Sequence, residues 1–431
     1  MKPDKTDKNQ TPMEIRIDRL GARGDGIADI ADNPVFVPFV LPGETVSVRL
    51  GKQRGDGRVA TLQEIVEESA DRRVPDCRHF GDCGGCAAQH LAVPAYLAWK
   101  QGVIDAALVR RGIRADILPV ISVPPASRRR IRLAFRKAGG RMIVGFRTRS
   151  SDLIVDIADC PVALPEVVAL IPQLRDFLNG RVDRGEIGIT QTIEGADVVI
   201  AARSEPDLDI RLDAPEFCTA SGIARLSWIA GGGKNDGVPE PVITLTAPSV
   251  RFGDVRVRIP PDSFLQPTAA GEAALSTFVL DAVGGAGGGA STIADLYAGC
   301  GAFSLPMAVA GKTVHAVEGL AAQTAALQAV SAALNLTAET RDLVRQPLRA
   351  AELARFDAVV LDPPRAGAAE QIGNLAGSGV PLIVYVSCNP ASFARDARTL
   401  IDGGYTLGPV QPVDQFLWSH HVELSAIFRR Y

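Results

Sequence analysis

The sequence predicts an α/β protein with a doubly wound sheet in its C-terminal half, an N-terminal OB-like β-barrel and a β-rich central unit. Three observations predict it. From Ile293 onward, short apolar strands alternate with helical segments, as in a doubly wound parallel sheet. Between residues 12 and 66, β-rich runs (EIRIDRL, PVFVPFV, TVSVRL, GRVATLQEIV) are broken by GARGDG, LPGE and KQRGDG, as in a small barrel. Residues 120–260 are mostly strand-like, with turns at AGGR and IAGGGKNDG.

The elements follow in order. Residues 1–11 are polar, lack the apolar core of a signal peptide and read as a disordered lead. Residues 12–68 form the barrel. A cysteine-rich stretch occupies 69–92, and 93–111 carries apolar residues at helical spacing. Within 120–260 one helix is expected, PEVVALIPQLRDFLNG, kinked by Pro172. A helix over 262–283 follows SFLQPT, and GGAGGGAS reads as a flexible connector. Then come TIADLYAG, a helical PMAVAGK, TVHAVE, a helical AAQTAALQAVSAALN, FDAVVLDPP and PLIVYVSCN. No run approaches the ~18 apolar residues of a membrane span, so a cytoplasmic protein with no membrane partner is expected.

The net charge of −3 argues mildly against a nucleic-acid partner. Its distribution argues the other way. Nine basic residues lie between Arg128 and Arg149 with no acidic residue among them, which reads either as a solvated surface or as a phosphate-binding stripe.

DLYAGCG (Asp295–Gly301) follows a short strand and precedes a helix, where glycines let the backbone approach a ligand. The third glycine that a pyrophosphate-binding loop needs is missing: Ala302, Phe303 and Ser304 follow instead. S-adenosylmethionine, which has no pyrophosphate, suits this loop better. Glu318 ends the next strand, near the ~20-residue offset of an acid that binds ribose hydroxyls. Asp342 follows a third strand-like step and could reach the adenine side. Each acid alone could equally be a solvated strand end.

LDPPR places Asp362 at the carboxyl end of a strand, where open α/β sheets bind ligands, and two prolines stiffen the backbone. YVSCNP ends the next strand, so Cys388 lies beside Asp362. A lone cysteine is ordinarily inert core, but one at a strand end in a crevice is a candidate thiolate nucleophile. Such a thiolate can activate an unreactive ring carbon by adding to the neighbouring carbon, and a base must then remove the proton of the carbon that has reacted. Glu423, in HHVELSAIF, is a candidate base, although periodicity alone reads it as a surface strand residue.

Seven cysteines in a chain of this length and character point to metal or catalysis rather than a disulfide framework. Cys77, Cys83 and Cys86 form C-x5-C-x2-C, with Cys160 distant in DCPVALP. Four thiolates can hold zinc or an iron–sulfur cluster. Zinc sites more often pair two C-x-x-C units, so this spacing suits a four-iron cluster better. Cys218 and Cys300 have no assigned task.

These motifs together resemble the bacterial RNA uracil-C5 methyltransferases over nearly the whole chain. The resemblance implies a Rossmann-like S-adenosylmethionine-dependent methyltransferase domain, an N-terminal TRAM barrel that binds RNA, and a central domain holding a [4Fe-4S] cluster on Cys77, Cys83, Cys86 and Cys160. It implies Cys388 as nucleophile and Glu423 as general base. Gln266 of SFLQPT, Tyr297, Gly299, Gly301, Glu318, Asp342 and Asp362 fall at the cofactor or uracil. Ala302 departs from the family, which often carries Asn there, as does Asp342. The resemblance assigns 93–119 and 261–431 to the methyltransferase domain, leaving 69–92 and 120–260 as a discontinuous central domain. Cluster and TRAM together look more like the enzymes of large-subunit (23S) ribosomal RNA than those of transfer RNA, and a monomer is expected. Two other readings compete. A cytosine-C5 methyltransferase of RNA requires a second cysteine near DPPRAG, which offers none. A non-catalytic RNA-binding protein is disfavoured by the coexistence of the cofactor loop, Asp362, Cys388 and Glu423.

Overall fold

The computed structural model describes residues 11–31, 33–149, 151–231, 237–285 and 289–430. The expected disordered lead (but for Thr11), most of the GGGKNDG turn and the middle of the GGAGGGAS connector lie outside these residues.

Residues 13–67 form a six-stranded sheet ordered Met13–Arg16, Thr45–Arg54, Gly57–Glu67, Asn33–Pro38, Asp25–Ile30, Arg19–Leu20. Alternate residues of these strands, among them Val35, Val37, Val46 and Val48, fill its interior, the period-2 burial that an alternating sequence dictates. The central sheet has seven strands, and two helices share its core: the expected Pro165–Leu178 and an unexpected Leu208–Ser221. The second helix carries Pro215 and weak amphipathicity, which hid it. Its ends obey simple rules: Asp207 accepts the Ile210 N–H at 2.8 Å, and Gly222 closes it with φ 67°.

The third sheet has eight strands: β1 (Ile121–Ser122), β2 (Thr292–Leu296), β3 (Thr313–Glu318), β4 (Leu336–Thr340), β5 (Ala358–Leu361), β6 (Leu382–Ser387), β7 (Thr406–Asp414) and β8 (Glu423–Arg429). Their order is β4-β3-β2-β5-β6-β8-β7-β1. The sheet is mixed, not wholly parallel as expected, because β8 inserts antiparallel to both β6 and β7. Its apolar strands are continuous because both faces are covered: Val359 and Leu361 point into one core, Ala358 and Val360 into the other.

Two distant segments complete this sheet. Helix Val93–Val109 buries Ile104, Ala107 and Leu108 in the core that also holds Phe393, Tyr405 and Phe428. β1 pairs with β7. The hairpin Ser249–Phe252/Val255–Arg258, expected with the central unit, instead buries Val250, Phe252 and Val257 against the large sheet. The helix after SFLQPT spans Ala269–Gly284, starting later than expected because Thr268 caps it, accepting the Gly271 N–H at 3.0 Å. Among the described residues, no helix is long and apolar enough to cross a membrane.

Candidate active site

Sheet register gathers the site. β5 and β6 run parallel with Leu361 opposite Tyr385, so Asp362 and Cys388 leave the sheet at one edge. β8 runs antiparallel to β6 with Leu424 opposite Ser387, which puts Glu423 across from Cys388. Glu423 is 2% exposed. It is therefore not the surface residue that its periodicity suggests.

Two glutamines link the carboxyls. Gln266 Nε2 donates to Asp362 Oδ2 at 2.8 Å. Gln415 Nε2 donates to Gln266 Oε1 at 2.7 Å and to Glu423 Oε2 at 2.9 Å. Burial pushes Asp362 up to about 7, with the Gln266 hydrogen bond opposing it. Burial raises Glu423 further, and the charge of Asp362 adds to this. The Cys388 thiol is pushed up to about 12, first by burial, then by Glu423 and Asp362, while Arg365 pulls it down. Glu423 Oε1 and Gln415 Oε1 are buried without hydrogen-bond partners. Such orphans are costly unless a ligand meets them. Gln415 had no role in the sequence reading; its only signal is a polar residue directly after an apolar strand.

The loop after β2 is built for close approach. Tyr297 and Gly299 adopt φ 62° and 57°, and Gly299 N–H donates to Glu318 Oε2 at 2.9 Å. Gly301 has a different reason to be glycine, since a Cβ there would lie 2.6 Å from Leu327 Cδ1. It lets the helix pack, the task expected of the missing third glycine. Buried Asp295 accepts from Ser304, its other oxygen is unpartnered, and burial pushes it up to about 7. Asp342 is exposed and caps a turn, accepting from Val344 N–H at 3.0 Å. Ala302 packs against the apolar core.

Outside Cys388 runs a groove of about 570 Å³, lined by Arg23 and Arg54 of the barrel, Arg110, Arg147, Arg149 and Arg365. His420 and His421 also line it, their rings 4.0 Å apart. Burial lowers them to about 4 and about 3, helped by neighbouring cations, so both are neutral at pH 7. The arginine stripe is less available than its sequence suggests. Arg129 pairs with Glu272 at 2.5 Å, Arg132 with Asp262 at 2.8 Å, Arg147 with Glu186 at 2.9 Å and Arg149 with Asp25 at 2.9 Å. The acids come from other segments, which a local charge count cannot see.

A buried ion pair supports the loop between β7 and β8. Lys100 Nζ lies 2.9 Å from Asp414 Oδ1, with side chains 1% and 0% exposed. Lys100 also donates to the His421 carbonyl, and Tyr96 donates to Asp414. The Trp418 carbonyl accepts from both Ala87 and Ala88, tying this loop to the cysteine-rich stretch.

Cys77, Cys83, Cys86 and Cys160 lie within electrostatic reach of one another. Burial pushes Cys86 up to about 12, the charges of the other three adding to it. Among the described residues, no three His, Cys, Asp or Glu side chains converge tightly enough for a single metal ion. Cys218 and Cys300 are buried in apolar cores, and remain without a task.

Known proteins resemble this chain in sequence and fold. Residues 248–431 match the family described as tRNA (Uracil-5-)-methyltransferase, and residues 9–55 match the TRAM domain. An RNA methyltransferase of Mesorhizobium japonicum, itself uncharacterized, is 42% identical over 95% of this chain and 96% of its own. The chain belongs to the RNA (uracil-5-)-methyltransferase family. Another member, 23S rRNA (uracil(1939)-C(5))-methyltransferase RlmD of Shewanella amazonensis, is 31% identical over 99% of this chain and 98% of its own. The tRNA (uracil-54, C5)-methyltransferase of Pyrococcus abyssi, solved with S-adenosyl-L-homocysteine, superposes with a TM-score of 0.77 at 25% identity, covering 96% of this chain and 99% of that one. The family match contains Gln266, Asp362, Cys388 and Glu423, whereas the four clustered cysteines precede it.

Proposed function

We propose that this chain methylates carbon 5 of a uridine in 23S ribosomal RNA, with Cys388 as nucleophile and Glu423 as general base. The observation that carries the reading is the meeting of Cys388, Asp362 and Glu423 at one sheet edge, the two carboxyls joined through Gln266 and Gln415.

S-adenosylmethionine, when bound, supplies an electrophilic methyl group. The loop suits it: Gly299 with its open left-handed backbone, Glu318 against it and the unpartnered oxygen of Asp295 offer acceptors to a cationic ligand. Tyr297 would be the aromatic contact of the cofactor, and Asp342 would serve its adenine side. Cys388 loses its proton to water in the groove that it lines, its sulfur bonds to uracil carbon 6, and the electrons of the carbon 5–carbon 6 double bond move toward oxygen 4. The methyl of S-adenosylmethionine would then pass to carbon 5, leaving S-adenosylhomocysteine. Glu423 removes the carbon 5 proton, the double bond re-forms and the thiolate leaves. Asp362 and Gln266 face the pyrimidine edge. Because carbon 6 is attacked from above the ring, the uridine must leave its stack. The arginine-lined groove would hold the flanking phosphates, and the neutral imidazoles of His420 and His421 offer a stacking surface.

Glu423→Gln should retain adduct formation and lose its resolution. A covalent protein–RNA band should persist in denaturing gels, with turnover reduced about 10²–10⁴-fold. Normal turnover with no adduct would remove Glu423 from the role. The parent reading is checked by mass spectrometry of 23S RNA fragments after incubation with enzyme and S-adenosylmethionine. Methylation only of transfer RNA would move the substrate.

The four thiols fit a [4Fe-4S] cluster: they are half-buried and share one neighbourhood, and metal binding would release their protons. A four-iron cluster also spreads its thiolates wider than one ion does. Anaerobically purified protein should be brown, with about four irons per chain. Stoichiometric zinc without iron would overturn the assignment.

A further inference from the structure

We infer that Gln415 is a positioning residue that sets the choice of uracil over cytosine by holding the amide of Gln266 in one orientation. The inference deepens the proposed function and rests on it.

The argument begins at Glu423. In the ionised form in which Glu423 acts as base, its oxygens only accept hydrogen bonds, so the side-chain nitrogen of Gln415 must face Glu423 Oε2, 2.9 Å away. The same nitrogen reaches Gln266 Oε1 at 2.7 Å. Its two N–H groups are then both committed, and the oxygen of Gln266 is held toward Gln415. The nitrogen of Gln266 is left to face Asp362, which accepts at 2.8 Å. Direction therefore passes along the chain Glu423, Gln415, Gln266, Asp362 from carboxylate to carboxylate. Reversing Gln415 would set oxygen against oxygen at both of its contacts, and reversing Gln266 would set nitrogen against nitrogen at Gln415 and oxygen against oxygen at Asp362.

The consequence falls on the substrate. A Gln266 held this way shows a pyrimidine only N–H. Oxygen 4 of uracil accepts from it, whereas the amino group at position 4 of cytosine presents a second donor. Asp362, beside it, accepts from the N–H at position 3 of uracil and meets a bare lone pair in cytosine. An unheld Gln266 could turn its oxygen to the cytosine amine. Removing Gln415 therefore loosens discrimination without removing any group that contacts the base.

The packing shows that this seat is built. Gln415, Gln266 and Glu423 are 0%, 3% and 2% exposed. Gly271, in the first turn of helix Ala269–Gly284, leaves room for Gln415. A Cβ at Gly271 would lie 2.6 Å from Gln415 Oε1 and 2.7 Å from its Cβ. Arg129 supports the other partner from behind, donating to the Gln266 carbonyl at 3.0 Å.

The test uses the full-length enzyme and two synthetic RNAs that differ only in uridine or cytidine at the target position. Gln415→Leu should lower the uridine-to-cytidine ratio of kcat/KM about tenfold, one hydrogen bond's orientation. Binding of S-adenosylhomocysteine should stay within about twofold, because the cofactor loop is untouched. Gly271→Ala, which displaces Gln415 without removing it, should shift the ratio in the same direction and covers the case in which the leucine variant does not fold. An unchanged ratio in a folded variant, with wild-type enzyme active on uridine RNA, would overturn the role of Gln415 alone. A wild-type enzyme inactive on uridine RNA would overturn the proposed function, and this inference with it.

Discussion

Cys388→Ala is expected to abolish methyl transfer, by about 10⁴–10⁶-fold as for other lost nucleophiles, while cofactor binding persists. No other group at the sheet edge can replace the sulfur: Asp362 and Glu423 are carboxyls committed to glutamines. The separation of the two effects follows from placement. Cys388 lies past the end of β6, whereas the cofactor loop lies past β2, two strands away. The free thiol is pushed up to about 12 by burial and then by the charges of Glu423 and Asp362. It is therefore protonated at neutral pH in the resting enzyme. Its folded value lies above the ordinary one, so the thiolate fraction, and with it the rate of adduct formation, should rise with pH through the neutral range. Tritium release from 5-tritiated uridine RNA, read beside calorimetric titration with S-adenosylhomocysteine, separates chemistry from binding. Residual turnover within tenfold of wild type would exclude the covalent mechanism.

Lys100→Met should cost about 3–5 kcal/mol of stability, the loss typical when one partner of a buried ion pair is removed. Asp414 would be left fully buried with its charge uncompensated except by the Tyr96 hydroxyl. The Lys100 ammonium lies 5.4 Å and 5.7 Å from the Tyr96 and Trp99 ring centroids, and methionine, an unbranched side chain of similar length, fills the same space beside them. A fall of the thermal midpoint on the order of 10 °C is expected. Replacing both residues, Lys100→Met with Asp414→Asn, should recover much of it, because the unpaired charge is then gone. If single and double variants melt together near wild type, the pair does not hold the loop. Activity gives a second readout, since Gln415 and Glu423 flank the loop that Lys100 grips.

The sequence made the reacting end of the sheet legible for a simple reason. Short parallel strands end where side chains meet ligand, so DPPR and SCNP announce Asp362 and Cys388. Glu423 was legible only through family resemblance. Its burial depends on an antiparallel strand entering the middle of the sheet, which periodicity cannot reveal. Gln415 was invisible, because its meaning lies in two hydrogen bonds, one to a residue 149 positions away. The arginine stripe was only partly legible for the same cause: the partners of four of its residues, Asp25, Glu186, Asp262 and Glu272, belong to other segments. Helix Leu208–Ser221 was hidden by Pro215 and weak patterning, yet its two caps were readable.

The completion of the large sheet by helix Val93–Val109 also sets an order of events during synthesis. Tyr96 and its acceptor Asp414 are 318 positions apart. At about 5–20 residues per second, the helix leaves the ribosome some fifteen to sixty seconds before Asp414 exists. Throughout that interval Ile104 and Leu108 have no core, and Lys100 has no counter-ion. The nascent chain thus carries an exposed apolar helix until Asp414 and the strands beside it are made, a natural client for chaperones, and the catalytic edge can form only once Glu423 has been synthesised.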